Sequence, residues 1–170
     1  GLDADGRVVE RGVNLPSPAS GPAAGRLSID SEALRFLKDG SFYVGDEYGP
    51  NIYYFAASGR LQGVIVPPPA ILPMDAKGMN FTSRRGGVSG RRANQGFEGV
   101  GVTPDGATLI ALLQSATLQD SGAKQVSRAN TRLLVYDISK DRVPAQPVAS
   151  YVLQLPVYTQ AGDGKIGRAH

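Results

Sequence analysis

The sequence lacks cysteine and tryptophan, and its 170 residues include one histidine, His170, at the last position. Without cysteine, this stretch can form no disulfide, thiolate metal site or cysteine nucleophile. A single terminal histidine offers neither a partner for histidine-assisted serine chemistry nor a histidine metal site. Chemistry of those kinds would need residues from outside this sequence.

Long apolar runs are also absent. No run approaches the roughly 20 residues of a membrane helix, so we expect no membrane span. The sequence also lacks the charged start followed by an apolar core that would indicate a signal peptide. The net charge of +3 is typical of an ordinary surface excess, and aromatic residues do not alternate with the basic ones. We therefore expect no nucleic-acid partner.

The final six residues, 165–170, look foreign to the rest of the chain. Read back into codons, they match the start of a common short-read sequencing adapter. The first residue is Gly1 rather than an initiating methionine. We therefore expect a partial domain over residues 1–164, cut at both ends, followed by a non-native tail over 165–170.

A repeat organises the chain. Glycine and proline are frequent, at 22 and 12 residues, which favours many short strands joined by tight turns. Glu32 corresponds to Glu98 and Asp39 to Asp105, a constant offset of 66 positions. Each copy has the pattern strand, Asp-Gly turn, strand, which is typical of a hairpin.

Each copy continues into two further predicted strands, over 51–55 and 61–66 in the first and over 132–137 and 148–155 in the second. Four antiparallel strands per repeat are typical of a β-propeller blade. We therefore predict an all-β fragment of about two four-stranded blades, with most of the ring outside this sequence. The alternative is a small β-sandwich with a chance repeat.

Acidic residues of both repeats are predicted at one end of the blades. There the first strand begins and the second ends, which places Glu32, Asp46 and Glu47 together, with Glu98 and Asp120 from the second repeat. Because first strands line a propeller's channel, we expect Glu32 and Glu98 near it. Aligned carboxylates could hold calcium, which prefers oxygen ligands. The alternatives are glutamates that accept backbone N–H bonds at blade corners, and a simple turn at Asp46 and Glu47.

A long connection over 67–95 lies at the same end and contains Arg84, Arg85, Arg91 and Arg92. Connections of that length are usually functional or disordered. Arginine suits anionic groups because its fork donates two parallel hydrogen bonds. We predict that these arginines attract an anionic substrate; a solvated, flexible loop is the alternative.

Three motifs resemble the phytase-like family, also described by an esterase-like activity of phytase. They lie at 46–50 (DEYGP), 96–99 (GFEG) and 131–137 (TRLLVYD), and the resemblance runs from about 28 to 156. One departure is Ala33, where the family usually has glycine; the extra methyl affects the local backbone geometry. The resemblance implies a β-propeller with hydrolase-type activity on phosphate or carboxylic esters. The 80–82 loop looks most like that of fungal members, which implies a secreted protein.

The expected function is thus a secreted hydrolase for a small anionic or ester substrate, with a bound divalent cation, Ca²⁺. Glu32 and Glu98 would help hold the ion, and Asp46 or Glu47 would orient a water as general base. The alternative, from a different class, is a non-catalytic propeller that binds a protein or glycan partner and needs no ion.

Overall fold

The computed structural model describes residues 16, 20–22, 24, 26–81, 87–122 and 128–156. Within these ranges every regular element is a β-strand except one 3-10 turn, Gln119–Ser121. The same ranges include no helix with the length and apolar character needed to cross a membrane. The all-β prediction is therefore confirmed. The predicted tail at 165–170, and Arg84 and Arg85, lie outside the described residues.

The first four-stranded sheet follows chain order. It consists of β1 (Ser31–Phe36), β2 (Phe42–Asp46), β3 (Ile52–Phe55) and β4 (Leu61–Ile65), paired antiparallel. The turn between β1 and β2 forms because Gly40 adopts a φ of 81° and Asp39 accepts bonds from the backbone and hydroxyl of Ser41, at 3.0 and 2.5 Å. The four strands predicted for the first repeat are confirmed.

The long connection after β4 contains a small hairpin. Its strands are β5 (Met74–Asp75) and β6 (Gly78–Met79), and Met74 also bridges to Ser89. The side chain of Asp75 closes this turn by accepting bonds from the backbone of Lys77 and the amide of Asn80, at 2.7 and 2.6 Å. Part of this long connection is therefore ordered by local pairing.

The second four-stranded sheet repeats the scheme of the first. It consists of β7 (Phe97–Val102), β8 (Thr108–Leu113), β9 (Asn130–Asp137) and β10 (Ala149–Gln154), again in chain order and antiparallel. Gly106 closes the β7–β8 turn with a φ of 74°, at the position that corresponds to Gly40. The four strands predicted for the second repeat are confirmed.

The core lies between the two sheets. Tyr43 and Ile52 of the first sheet are buried with Leu109 and Tyr136 of the second, all at 0% exposure. β7 packs against β1 and β2. The approach there is close, because a Cβ added to Gly45 would lie 2.8 Å from a methyl of Val100. The sheets therefore hold the acid-bearing ends of β1, β2 and β7 side by side.

Candidate functional site

A β-bulge interrupts the first strand pair of each sheet. In the β1–β2 pair the register shifts at Glu32, and in the β7–β8 pair it shifts at Glu98. A bulge re-aims a side chain and is common next to functional sites. The 66-residue repeat therefore gives both glutamates the same backbone setting at the same end of their sheets.

Four carboxyl groups meet at this end, and we call them the carboxylate cluster: Asp30, Glu32, Glu47 and Glu98. One carboxylate oxygen each from Asp30, Glu32 and Glu47 lies within 4.8 Å of the others. Glu47 also shares a side-chain hydrogen bond with Glu98. Asp30 and Glu32 are exposed, whereas Glu47 is buried. Sequence reasoning missed Asp30, because the bulge that follows it depends on strand register and has no local signal.

Glu47 holds its proton more tightly than an ordinary glutamate. The pKa of Glu47 is raised to about 8, and burial, which penalises the charged form, is the largest cause. The hydrogen bond to Glu98 and the negative charges of Glu98, Asp30 and Glu32 contribute to the same shift. The cluster therefore contains a carboxyl group whose protonated form is favoured relative to an ordinary glutamate.

The backbone of Glu47 is fixed from two sides. Its N–H donates to the carbonyl of Asp30 at 2.8 Å, and a Cβ added to Gly96 would lie 2.2 Å from the carbonyl oxygen of Glu47. The second repeat copies the first contact, since the N–H of Gln114 donates to the carbonyl of Gly96 at 3.0 Å. Gln114 and Gly96 thus occupy the positions of Glu47 and Asp30, so the second repeat contributes only Glu98 to the cluster.

Asp46 lies beneath the cluster and is fully buried. One carboxylate oxygen accepts the N–H groups of Asp30 and Tyr48, at 2.9 and 3.0 Å. The other accepts the N–H of Gly49 at 3.0 Å and the hydroxyl of Tyr53 at 3.2 Å. Burial raises the pKa of Asp46, while its backbone bonds act in the opposite direction. With four accepted bonds, Asp46 anchors the loop that presents Glu47.

Of the four predicted arginines, the structure describes Arg91 and Arg92. Arg91 is buried, and its guanidinium donates to the carbonyls of Tyr48, Phe81 and Arg92, each at a distance of 3.0–3.1 Å. Burial lowers the pKa of Arg91, partly offset by the charges of Asp46 and Glu47. Arg92 is partly buried, while Arg84 and Arg85 lie outside the described residues. Arg91 is therefore placed below the surface, not above the cluster as an open anion receptor.

Asp120, which the sequence places at the same end, forms an ion pair with Arg132. Arg132 donates to its two carboxylate oxygens at 2.6 and 2.8 Å, and the hydroxyl of Thr117 donates to it at 2.9 Å. These bonds hold the pKa of Asp120 below its usual value. Asp120 therefore ties its loop to β9 instead of joining the cluster.

Comparison with known proteins gives one family and one relative. Residues 3–167 match the family model described as "Phytase-like: Esterase-like activity of phytase". An "Uncharacterized secreted protein" of Arthroderma benhamiae is 39% identical over an alignment of 133 residues, and the match covers 71% of this chain and 26% of that protein. The chain thus spans about a quarter of that relative's length, and the secreted relative confirms the predicted location. No solved structure matches the chain.

Proposed function

The chain belongs to the phytase-like family, and from this membership and the carboxylate cluster we propose that it is part of a secreted β-propeller hydrolase. The proposed substrates are phosphate or carboxylic esters, and the proposed cofactor is a divalent cation, Ca²⁺. The observation that supports this most is the meeting of four carboxyl groups where two bulged strands begin side by side.

The propeller is supported by the faces through which the sheets meet. The first sheet packs through the face of Tyr43, whereas the second packs through the face of Leu109 and Tyr136. By strand register, Leu109 corresponds to Phe42 and Tyr136 to Phe55. Both phenylalanines lie on the face of the first sheet opposite Tyr43. Sheets that join through opposite faces can add further repeats in the same direction until a ring closes.

The outer faces support the same proposal. Tyr151 of β10 occupies the position of Ile65 in β4, yet Tyr151 is 59% exposed and Ile65 only 1%. On the other outer face, Leu34 and Phe36 are 56% and 57% exposed. The counterpart of Tyr151 is buried, and those of Leu34 and Phe36, which are Val100 and Val102, pack against the core, so we expect neighbouring repeats of the complete protein to cover all three residues.

The cluster fits Ca²⁺ in donor type and spacing. Calcium prefers oxygen ligands at 2.3–2.6 Å, so two ligands of one ion lie at most about 5 Å apart. The oxygens of Asp30, Glu32 and Glu47 satisfy that limit, because all three lie within 4.8 Å of one another. A cation there would also relieve the mutual repulsion of the carboxylates. When bound, Ca²⁺ would supply polarisation of an ester or phosphoryl oxygen and acidification of a water.

Among the residues of the chain, Glu47 is the proposed proton-transfer group. It is buried and next to Glu98, and in the ion-free cluster its raised pKa lets it hold a proton that a bound cation would help to release. Asp46 takes the anchoring role instead, because its oxygens already accept four hydrogen bonds. Arg84, Arg85 and Arg92 remain the proposed groups for attracting an anionic substrate.

The test uses the complete protein and three substrates: an aryl acetate, an aryl phosphate and phytate. Each is assayed with added Ca²⁺ and again with a chelator. We expect turnover that the chelator abolishes and that Glu98→Gln removes from a folded protein. Asp141→Asn is the matched control, because Asp141 is an exposed carboxylate whose bond to the N–H of Val143 asparagine can keep. A folded protein without turnover on any substrate would favour the non-catalytic binding module.

A further inference from the structure

Arg91 joins three backbone segments through its side chain. Its guanidinium donates to the carbonyl of Tyr48 in the β2–β3 loop, of Phe81 after β6, and of the adjacent Arg92. The residue is 3% exposed. A buried guanidinium is costly unless carbonyls or carboxylates compensate for lost water, and here backbone carbonyls do so.

Arg91 is itself held in place from several sides. Its N–H donates to the carbonyl of Ile71 at 2.8 Å. The preceding Gly90 has a φ of 81°, and a Cβ there would lie 1.8 Å from the carbonyl oxygen of Leu72. Gln119 accepts the N–H of Gly90 at 2.9 Å and donates to the carbonyl of Ala70 at 2.6 Å. The arginine therefore projects from a closely packed support that includes the second repeat.

The target of Arg91 is the loop that presents Glu47. Asp46 binds the N–H groups of Tyr48 and Gly49, and Arg91 binds the carbonyl of Tyr48. The peptide units that follow Glu47 are thus held from the N–H side by a carboxylate and from the carbonyl side by a guanidinium. Such outer contacts orient the groups that act in a site.

We propose that Arg91 is a positioning residue, which fixes the loop after Glu47 and thereby aims the Glu47 carboxyl into the carboxylate cluster. The role of Glu47 in ion binding or proton transfer rests on the proposed function, whereas the fixing of the loop by Arg91 does not. The guanidinium fork is required because it bonds to three carbonyls at once. A lysine ammonium keeps the charge but not this planar geometry.

The test compares Arg91→Lys with wild type in the complete protein, by two readouts. The first is amide hydrogen exchange at Tyr48 and Gly49 without metal, which should become about tenfold faster or more, since a charge-assisted bond is lost. The second is the dissociation constant for Ca²⁺, which should rise about 10- to 100-fold, as for other residues that orient ligands. Arg132→Lys is the matched control, because it removes an equivalent fork at Asp120 and should change neither readout.

Unchanged exchange at Tyr48 and Gly49 in folded Arg91→Lys would overturn the proposal. If that variant does not fold, the test uses Gln119→Ala and measures exchange at the same two amides. Gln119 is exposed and supports Gly90 without contacting the loop after Glu47. Faster exchange there supports the proposal, and wild-type exchange contradicts it. If wild type fails to bind Ca²⁺, the proposed cation site fails, while the exchange readout still decides the role of Arg91.

Discussion

Asp46 and Glu47 are adjacent carboxylates with opposite surroundings. The side chain of Asp46 meets three backbone N–H groups and a tyrosine hydroxyl, all donors. The side chain of Glu47 meets other carboxyl groups. Burial raises the pKa of both residues, but hydrogen bonds oppose the shift only at Asp46. The same dipeptide thus yields a structural anchor and a group suited to binding or proton transfer.

Gly96 shapes the cluster by having no side chain. Its Cα lies so close to Glu47 that a Cβ would be 2.2 Å from the Glu47 carbonyl oxygen and 2.5 Å from its Cα. We predict that Gly96→Ala destabilises the protein by about 1–3 kcal/mol, because backbone must move to accept the methyl. The same variant should weaken Ca²⁺ binding by displacing Glu47. Urea unfolding and a calcium titration measure the two effects.

Gly101→Ala is the control for that variant. A Cβ at Gly101 meets nothing within 4 Å, and the glycine lies in β7 near Glu98. We expect its free energy of unfolding to stay within about 0.5 kcal/mol of wild type. Equal effects of the two substitutions would show that the close approach at Gly96 does not constrain Glu47.

At the scale of elements, local pattern predicted the sheets well. The eight strands of the two sheets were predicted because apolar runs and Asp-Gly turns are local signals. The small β5–β6 hairpin was missed, because two-residue strands are too short to show periodicity. The bulges at Glu32 and Glu98 depend on register between partners and have no local signal.

The site was predicted only in part, for the same reason. Glu32, Glu47 and Glu98 were found because the repeat and strand direction place them at one end. The burial of Arg91 was not predictable, since its partner Tyr48 is 43 positions away. The difference between Asp46 and Glu47 also depends on long-range contacts, such as those with Tyr53 and Glu98.

The Asp120–Arg132 pair fastens the loop after β8 to β9, and its pKa shift gives a pH dependence. Arg132 holds the pKa of Asp120 below 3.8, so the pair stabilises the fold above that pH and loses this effect as pH falls through the lowered value. Both side chains are partly exposed, so we expect the ion pair to contribute at most about 1 kcal/mol to the free energy of unfolding. Asp120→Asn should therefore be less stable than wild type at neutral pH and similar to it in strong acid. Urea unfolding at both pH values measures this, and a constant difference would contradict the prediction.

At the scale of the whole molecule, both outer faces are apolar. Each contains residues whose counterparts in the other repeat are buried between the sheets. Phe42 on one face corresponds to Leu109, and Tyr151 on the other face corresponds to Ile65. Exposure of that kind is costly in a complete protein. The chain spans about a quarter of its fungal relative's length, and the proposed ring would need further repeats to cover these faces.

Tyr151 provides the sharpest test of that ring. If another sheet covers Tyr151 in the complete protein, Tyr151→Ser should lower the free energy of unfolding by about 2 kcal/mol or more, because a large buried ring is removed. If the face is open to water, as its 59% exposure in this chain would suggest, the change should cost less than about 0.5 kcal/mol. Lys140→Ser, at an exposed position after β9, is the control and should be neutral in either case. Urea unfolding of the complete protein separates the outcomes: a destabilised Tyr151 variant beside a neutral Lys140 variant supports the propeller, and two neutral variants contradict it.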